Sequence, residues 1–193
     1  IAKPYPAERL VQSIRRAADK RQLVMENRQL RQLVESGDPA ARMLFGNSDL
    51  AQGLRAQVRR VAQAQGDVLV TGAQGTGISK VAEVIHLSSL RSKRPFVKRA
   101  GHDLDVVALT AAFAEGDGGS LFIDEITMLP AQSQLALAEA LDGAPATRLI
   151  AGSTRDLAAE LEAGRLNGDL YYRLAVMPVR IPSLAERPED IPV

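Results

Sequence analysis

Two stretches carry residues whose types and spacing could do chemistry. The first runs from Val68 to Lys80 and reads Val-Leu-Val-Thr-Gly-Ala-Gln-Gly-Thr-Gly-Ile-Ser-Lys. The apolar triplet suits a buried parallel strand. Gly72, Gly75 and Gly77 then free the backbone to curl. Gly72, Ala73, Gln74, Gly75, Thr76, Gly77, Ile78 and Ser79 nearly fulfil the pattern Gly-x-x-x-x-Gly-Lys-Ser/Thr. In that pattern backbone N–H groups and a helix N-terminus hold a polyphosphate. The lysine position, however, is Ile78. A hydrogen bond to a charged group, worth roughly 1.5–3 kcal/mol, is therefore missing. Lys80 lies about 200° further around a helix and does not replace it. A tight turn without a ligand is the bland reading of the same glycines.

The second stretch is Gly118-Gly-Ser-Leu-Phe-Ile-Asp-Glu125. Ser120 to Ile123 reads as a buried strand that ends in two acids, Asp124 and Glu125. The carboxyl end of a parallel strand is where open α/β sheets bind ligands. In a nucleotide hydrolase the first acid would hold Mg²⁺ and the second would polarise the attacking water. Acids capping a strand-to-helix junction are the alternative.

These stretches need a sheet and helices to position them. The short strands expected at 68–70, 95–97, 120–123, 148–152 and 176–181 alternate with amphipathic helical segments at 48–65, 81–90, 104–113, 132–141 and 157–163. Strands alternating with helices predict an α/β fold, a five-stranded parallel sheet with helices on both faces. In the 48–65 segment Leu50, Leu54, Val58 and Val61 are expected on one face, with Ser48 or Asp49 as cap. The proline-rich tail, 182–193, is expected to be extended. His86 reads as a packing or surface residue, and His102, Asp103 and Asp105 as a solvated loop.

Before Ser36-Gly37-Asp38-Pro39 the pattern changes. Leu10, Ile14, Ala17 and Ala18 form an apolar stripe, and Leu23, Asn27, Leu30 and Val34 follow the spacing of a coiled-coil seam. A polar residue at one seam position favours a defined dimer. A single helix packed on its own domain remains the alternative.

Composition narrows the classes. The chain has 193 residues and a formal net charge of +1, so no global field recruits nucleic acid. It has no cysteine, which excludes disulfides and thiolate metal sites and is compatible with a cytoplasmic location. No apolar run approaches the ~18 residues of a membrane span. A start at Ile-Ala-Lys-Pro-Tyr is expected of a piece of a longer protein.

Taken together, these residues resemble a known family. Residues about 44–193 look like the AAA+ sigma-54-interaction domain of bacterial enhancer-binding response regulators of the NtrC/DctD class. The likeness rests on Val68 to Gly72 with Gly75-Thr-Gly77, on Ala82 to His86 and on Asp117 to Ile126. It continues through Arg155-Asp-Leu157, Asp169-Leu-Tyr-Tyr-Arg-Leu174, Ile181 to Leu184, Glu186-Arg187 and Glu189 to Pro192. Residues 1–18 resemble the end of a receiver domain, with Lys3-Pro4 as its signature, and 19–38 a dimerising linker helix.

The resemblance implies an AAA+ P-loop NTPase-like core that binds ATP and Mg²⁺ and assembles as a dimer or ring. It implies a partner in RNA polymerase carrying sigma-54, and DNA contact only through a domain outside this chain. By position it implies that Gly72 to Ser79 cradle phosphates and that Asp124 and Glu125 are the Walker B pair, with Asp124 on the metal. Thr154 would be the first sensor and Arg173 an arginine finger. This chain departs from the family pattern in several places. Ile78 replaces the loop lysine, Thr154 an asparagine and Asn167 an arginine. Between Phe96 and Gly118 the family's sigma-54-contacting loop, Gly-Ala-Phe-Thr-Gly-Ala, is missing. Three readings stand open: a regulator with weak or lost ATPase, a working ATP-driven activator, and a non-enzymatic dimeric scaffold or fragment.

Overall fold

The computed structural model describes residues 37–191 together with Arg16, Lys20 and Arg21. The receiver tail expected over 1–18 and the linker helix expected over 19–38 fall almost wholly outside the described residues.

Twelve regular elements follow in the described chain. They are α1 (Pro39–Met43), α2 (Asp49–Gln63), β1 (Val68–Thr71), α3 (Ile78–Leu87), β2 (Phe96–Ala100) and α4 (Val106–Glu115), then β3 (Ser120–Asp124), α5 (Ala131–Asp142), β4 (Arg148–Ser153), α6 (Leu157–Glu162), α7 (Gly168–Leu174) and β5 (Pro178–Arg180). Single 3₁₀ turns cover Gly101–Asp103, Ile126–Met128, Leu184–Glu186 and Pro188–Asp190.

The five strands pair in the order β2-β3-β4-β1-β5, all parallel. β4 therefore lies between β1 and β3, with Thr71 opposite Ser153 and Ile123 opposite Ala151. The three central strands, β3, β4 and β1, are buried on both faces along most of their length, as the interior of a parallel sheet requires, and successive side chains alternate between two cores. Leu69, Leu121, Ile123 and Leu149 pack on one side with Leu104, Leu137 and Leu170. Val68, Val70, Phe122 and Ile150 pack on the other with Val58, Val81 and Ile85.

Helix starts follow local chemistry. Ser48 caps α2 by accepting from Ala51 N at 3.1 Å, and Asp105, Asp156 and Asn167 cap α4, α6 and α7 in the same way. The buried face of α2 differs from expectation: it is Ala51, Leu54, Val58 and Ala62, whereas Leu50 is 46% exposed. The two alanines lie on the stripe with Leu54 and Val58, and a helix presents only one such stripe inward. Arg148, the first residue of β4, is buried. Its guanidinium donates to Val61 O and Gly66 O, both at 2.8 Å, and so closes the carboxyl end of α2. Burial is the main influence pushing Arg148 down to about 10, so it stays charged at neutral pH. His86 is a packing residue. It stacks on Phe96 with ring centroids 5.0 Å apart and sits 3.0 Å from Ser120 Oγ.

Three further expectations need correction. Helix α3 begins at Ile78 rather than at Val81, because Gly77 takes a left-handed conformation and starts the helix there. The fifth strand is only Pro178–Arg180. Val176 stands 74% exposed ahead of it, and pairing begins where Met177 O receives Leu69 N. The tail is not extended. Ser183 and Glu186 form a capping box, Pro188 opens a second turn, and Asp190 folds back onto the start of α2.

Asp190 accepts from Asn47 N at 2.6 Å, Ser48 N at 2.9 Å and Ser48 Oγ at 2.6 Å. The Ser48 hydroxyl and the neighbouring donors hold its carboxyl down at about 2, against an ordinary 3.8. A carboxyl depressed on folding stabilises the native state fully above its unfolded value, and that contribution disappears as pH falls through the folded one. Asp190→Asn is expected to lower the urea midpoint at neutral pH and to flatten its decline between about pH 4 and pH 2. Parallel acid limbs in wild type and variant would contradict this assignment.

Candidate functional site

The loop after β1 turns tightly. Gly75 and Gly77 have φ of 82° and 89°, in the left-handed region that suits glycine. Thr76 closes the turn on Ala73 O through its N–H at 3.1 Å and its hydroxyl at 2.7 Å. Gly77 supplies no side-chain cap to α3. The first N–H groups of that helix therefore have no intrahelical acceptor, and the positive end of its dipole faces the loop. Backbone of this kind can hold phosphate oxygens.

Ile78 does not point at that cradle. It is 7% exposed and belongs to the core with Val70, Val81, Phe122 and Ile150. A Cβ on Gly152 would come within 2.8 Å of Ile78 Cγ2 and 3.0 Å of the Phe122 ring. Glycine at 152 is thus what lets both side chains pack over β4. Lys80 is half exposed and pairs with Glu83 at 3.0 Å. It is engaged along its own helix.

Asp124 and Glu125 lie one sheet position beyond β4 from the loop. Asp124 ends β3 and is exposed. Glu125 adopts φ 54°, ψ 70°, a left-handed conformation that costs a non-glycine residue about 1–3 kcal/mol. Its carboxylate is tied on all sides. Oε1 accepts from Thr127 Oγ1 at 2.7 Å and Ser153 Oγ at 2.9 Å. Oε2 accepts from Thr154 N at 3.0 Å and Thr154 Oγ1 at 2.5 Å. A carboxylate offers about four acceptor sites, and these donors fill them. Burial is the largest influence and pushes Glu125 up, but the donors of Thr127, Thr154 and Ser153 together outweigh it and hold the group below its ordinary value.

The fold brings together Gly72 to Ser79, Asp124, Glu125 and Thr154. Arg173 sits apart. It is on α7, forms an ion pair with Asp142 at the end of α5 and lies near Asp67 at the start of β1, the opposite end of the sheet.

Two clefts flank the loop. One, of about 320 Å³, is lined by Gly72, Ala73, Ser153, Thr154, Arg155 and Arg180 among others. The other, of about 200 Å³, lies between Thr76, Gly77 and Lys80 on one side and Met43, Leu44, Phe45 and Arg187 on the other. Arg187 Nε is buried there without a hydrogen-bond partner. The sequence reading missed this wall. Its only local trace was the apolar pair Leu44-Phe45 before Gly46 and the Ser48 cap.

An apolar slot beside a phosphate cradle fits a nucleotide. For Mg²⁺, no group of three or more His, Asp or Glu side chains clusters among the described residues. By donor chemistry alone, the Asp124 carboxylate and the Ser79 hydroxyl are oxygens of the kind Mg²⁺ takes, one or two from the protein with phosphates and water completing its shell.

Comparison with known proteins identifies the family. The family model for the sigma-54 interaction domain matches residues 45–184. The C4-dicarboxylate transport transcriptional regulatory protein DctD of Pseudomonas aeruginosa is 36% identical over 226 aligned positions, covering all of this chain and 48% of the relative. The transcriptional regulatory protein ZraR of Escherichia coli is 37% identical over 78% of this chain and 41% of its own length. The chain spans about half the length of these curated relatives or less. Among solved structures, NtrX from Brucella abortus in complex with ADP superposes with a TM-score of 0.72 at 29% identity, covering 98% of this chain and 48% of that one. The P-loop NTPase domain of a sigma-54 transport activator from E. coli superposes at 0.60 with 22% identity, over 72% of this chain and 99% of that one, and supports the fold alone. The fold is that of AAA+ P-loop NTPases. With that family model matched over residues 45–184 and relatives aligned along its whole length, the chain belongs to the sigma-54 interaction domain family.

Proposed function

We propose that this chain is the nucleotide-binding core of a sigma-54 transcriptional regulator of the response-regulator type, with hydrolysis weak or lost. Gly72 to Ser79 hold the phosphates of an adenine nucleotide, and the slot between Phe45 and Arg187 takes the base. Asp124 is the Mg²⁺ position. Thr154, at the sensor position, holds Glu125 instead of a γ-phosphate. Arg173 is read, from the family pattern alone, as the residue that faces a neighbouring subunit, in a dimer joined through residues 19–38 or in a ring. RNA polymerase carrying sigma-54 is the partner the family suggests, and DNA is contacted through a domain outside this chain, in the cytoplasm. Among the described residues no helix is long and apolar enough to cross a membrane.

One observation carries the loss of hydrolysis. A general base must offer a lone pair to the attacking water within hydrogen-bond reach, and four protein donors already occupy Glu125. The buried Ile78 points the same way. NtrX has been crystallised with ADP and with ATP, which supports nucleotide as the ligand class.

Phosphate release at saturating ATP and Mg²⁺ tests the reading. Turnover is expected to stay at background in wild type and in Glu125→Gln alike. Clear turnover that Glu125→Gln abolishes would overturn it.

A further inference from the structure

Strand β2 stands at one end of the sheet order, and among the described residues no strand pairs with its outer side. Its inner side pairs with β3 over Phe96 to Ala100. Ser120 N of β3 donates to Pro95 O, and alternate residues of a parallel strand serve one neighbour. Residues 95, 97 and 99 therefore serve β3, and the N–H and C=O groups of Phe96, Lys98 and Ala100 lie along the free edge. Of these, Lys98 O is met only by the Arg99 guanidinium, at 2.9 Å. An edge of this kind is a template for another extended chain.

Charge along this edge is uneven. Residues 91–100 hold Arg91, Lys93, Arg94, Lys98 and Arg99 and no acid, although residues 37–191 carry 16 Lys and Arg against 19 Asp and Glu. Two of the five are engaged. Arg91 donates to Gly119 O and Ala146 O and so pins the turn ahead of the strand, and Arg99 pairs with Glu115 on α4. Lys93, Arg94 and Lys98 have no acid within ion-pair reach among the described residues, and Asp117, ahead of β3, pairs with none of them. Past the strand the sign reverses, with Asp103 and Asp105. Cations on an edge discourage pairing with a second copy, which would bring like charges together. They favour an acidic strand.

We propose that the free edge of β2 takes an extended acidic peptide segment of a partner protein as a sixth strand. Main-chain groups of Phe96, Lys98 and Ala100 bind its backbone, and Lys98, Lys93 and Arg94 bind its acids. The change of sign along the edge places those acids toward the amino end of β2. A nucleic acid fits less well. Lys98 leans to the Phe122 side of the sheet, its Nζ 6.0 Å from that ring's centroid, whereas Arg99 points to the α4 side. Cations divided between two faces do not make one surface for a phosphate backbone, but an added strand presents side chains to both faces. Leu90, 79% exposed in the turn before β2, adds an apolar anchor that a phosphate backbone does not use. The proposal is independent of the nucleotide reading.

The test titrates a fluorescent peptide of alternating Glu and Val with the full 193-residue chain at low salt, read by anisotropy. The peptide is expected to bind and to slow hydrogen exchange at the amides of Phe96, Lys98 and Ala100. Lys98→Glu is expected to weaken binding about 10-fold, since it turns an exposed attraction into a repulsion, and Lys98→Arg to preserve it. Lys98 is exposed, and an unchanged urea midpoint checks that each variant is folded. Should Lys98→Glu fail that check, Lys93→Glu with Arg94→Glu carries the same expected loss. A peptide of alternating Lys and Val is expected not to bind. The proposal is overturned by no binding of the acidic peptide, by equal binding of the basic one, or by an affinity indifferent to these charge reversals. Binding without protection of the three amides overturns strand addition. A DNA oligonucleotide that binds tighter and displaces the peptide would make the surface a nucleic-acid contact and overturn it too.

Discussion

Lysine at position 78 is expected to tighten ATP binding by about 10- to 100-fold without restoring turnover. The gain follows from a charge-assisted hydrogen bond to the phosphates worth roughly 1.5–3 kcal/mol, which converts to that range at 1.4 kcal/mol per decade. A lysine stem can occupy the wall that Ile78 now covers over Gly152 while its ammonium reaches out to the loop. The lost apolar burial costs about 1–2 kcal/mol of stability, so the fold survives. Ile78→Met is the control: similar volume, no charge and no tightening. Turnover stays absent because the new cation leaves the four donors on Glu125 in place. Titration and phosphate release report the two halves separately. Unchanged affinity would mean that residues 72–79 do not hold phosphate. Restored turnover would mean that the missing lysine was the only lesion.

The largest stability effect is expected at Arg148, far from the loop. Arg148→Met removes a buried guanidinium that serves Val61 O and Gly66 O and comes within 3.5 Å of Ala62 O. Each buried carbonyl left unpaired costs about 1–3 kcal/mol, and the sum is expected at about 2–5 kcal/mol. Native domains hold only about 5–15 kcal/mol in all, so the urea midpoint should fall by a large fraction. Arg148→Lys should recover less than half of the loss, because a single ammonium does not reproduce the planar fork. A loss of unfolding free energy below about 0.5 kcal/mol, the scale of an ordinary surface change, would show that water satisfies these carbonyls.

Much of the site was legible in the chain. Gly75 and Gly77 marked a loop that bends left-handed, and the apolar run ending in Asp124 and Glu125 marked a buried strand with acids at its carboxyl end. Less legible was the fate of Ile78. An isoleucine in a glycine loop looks like a missing cation, but nothing nearby says that it joins the core through a gap left by Gly152, which is 74 positions away in the sequence. The wall formed by Phe45 and Arg187 was missed because the two meet only when the tail folds back, a contact fixed by Asp190 on Ser48.

Local sterics and periodicity act over a few residues, so the sequence by itself determined where the loop, the strands and the helix caps fall. It also determined that position 78 carries no charge. Only the tertiary structure decided what Glu125 touches. Ser153 and Thr154 reach it because β4 inserts between β1 and β3. That pairing is set by burying both faces of the central strands at once, a balance over the whole sheet that no short stretch of the chain encodes.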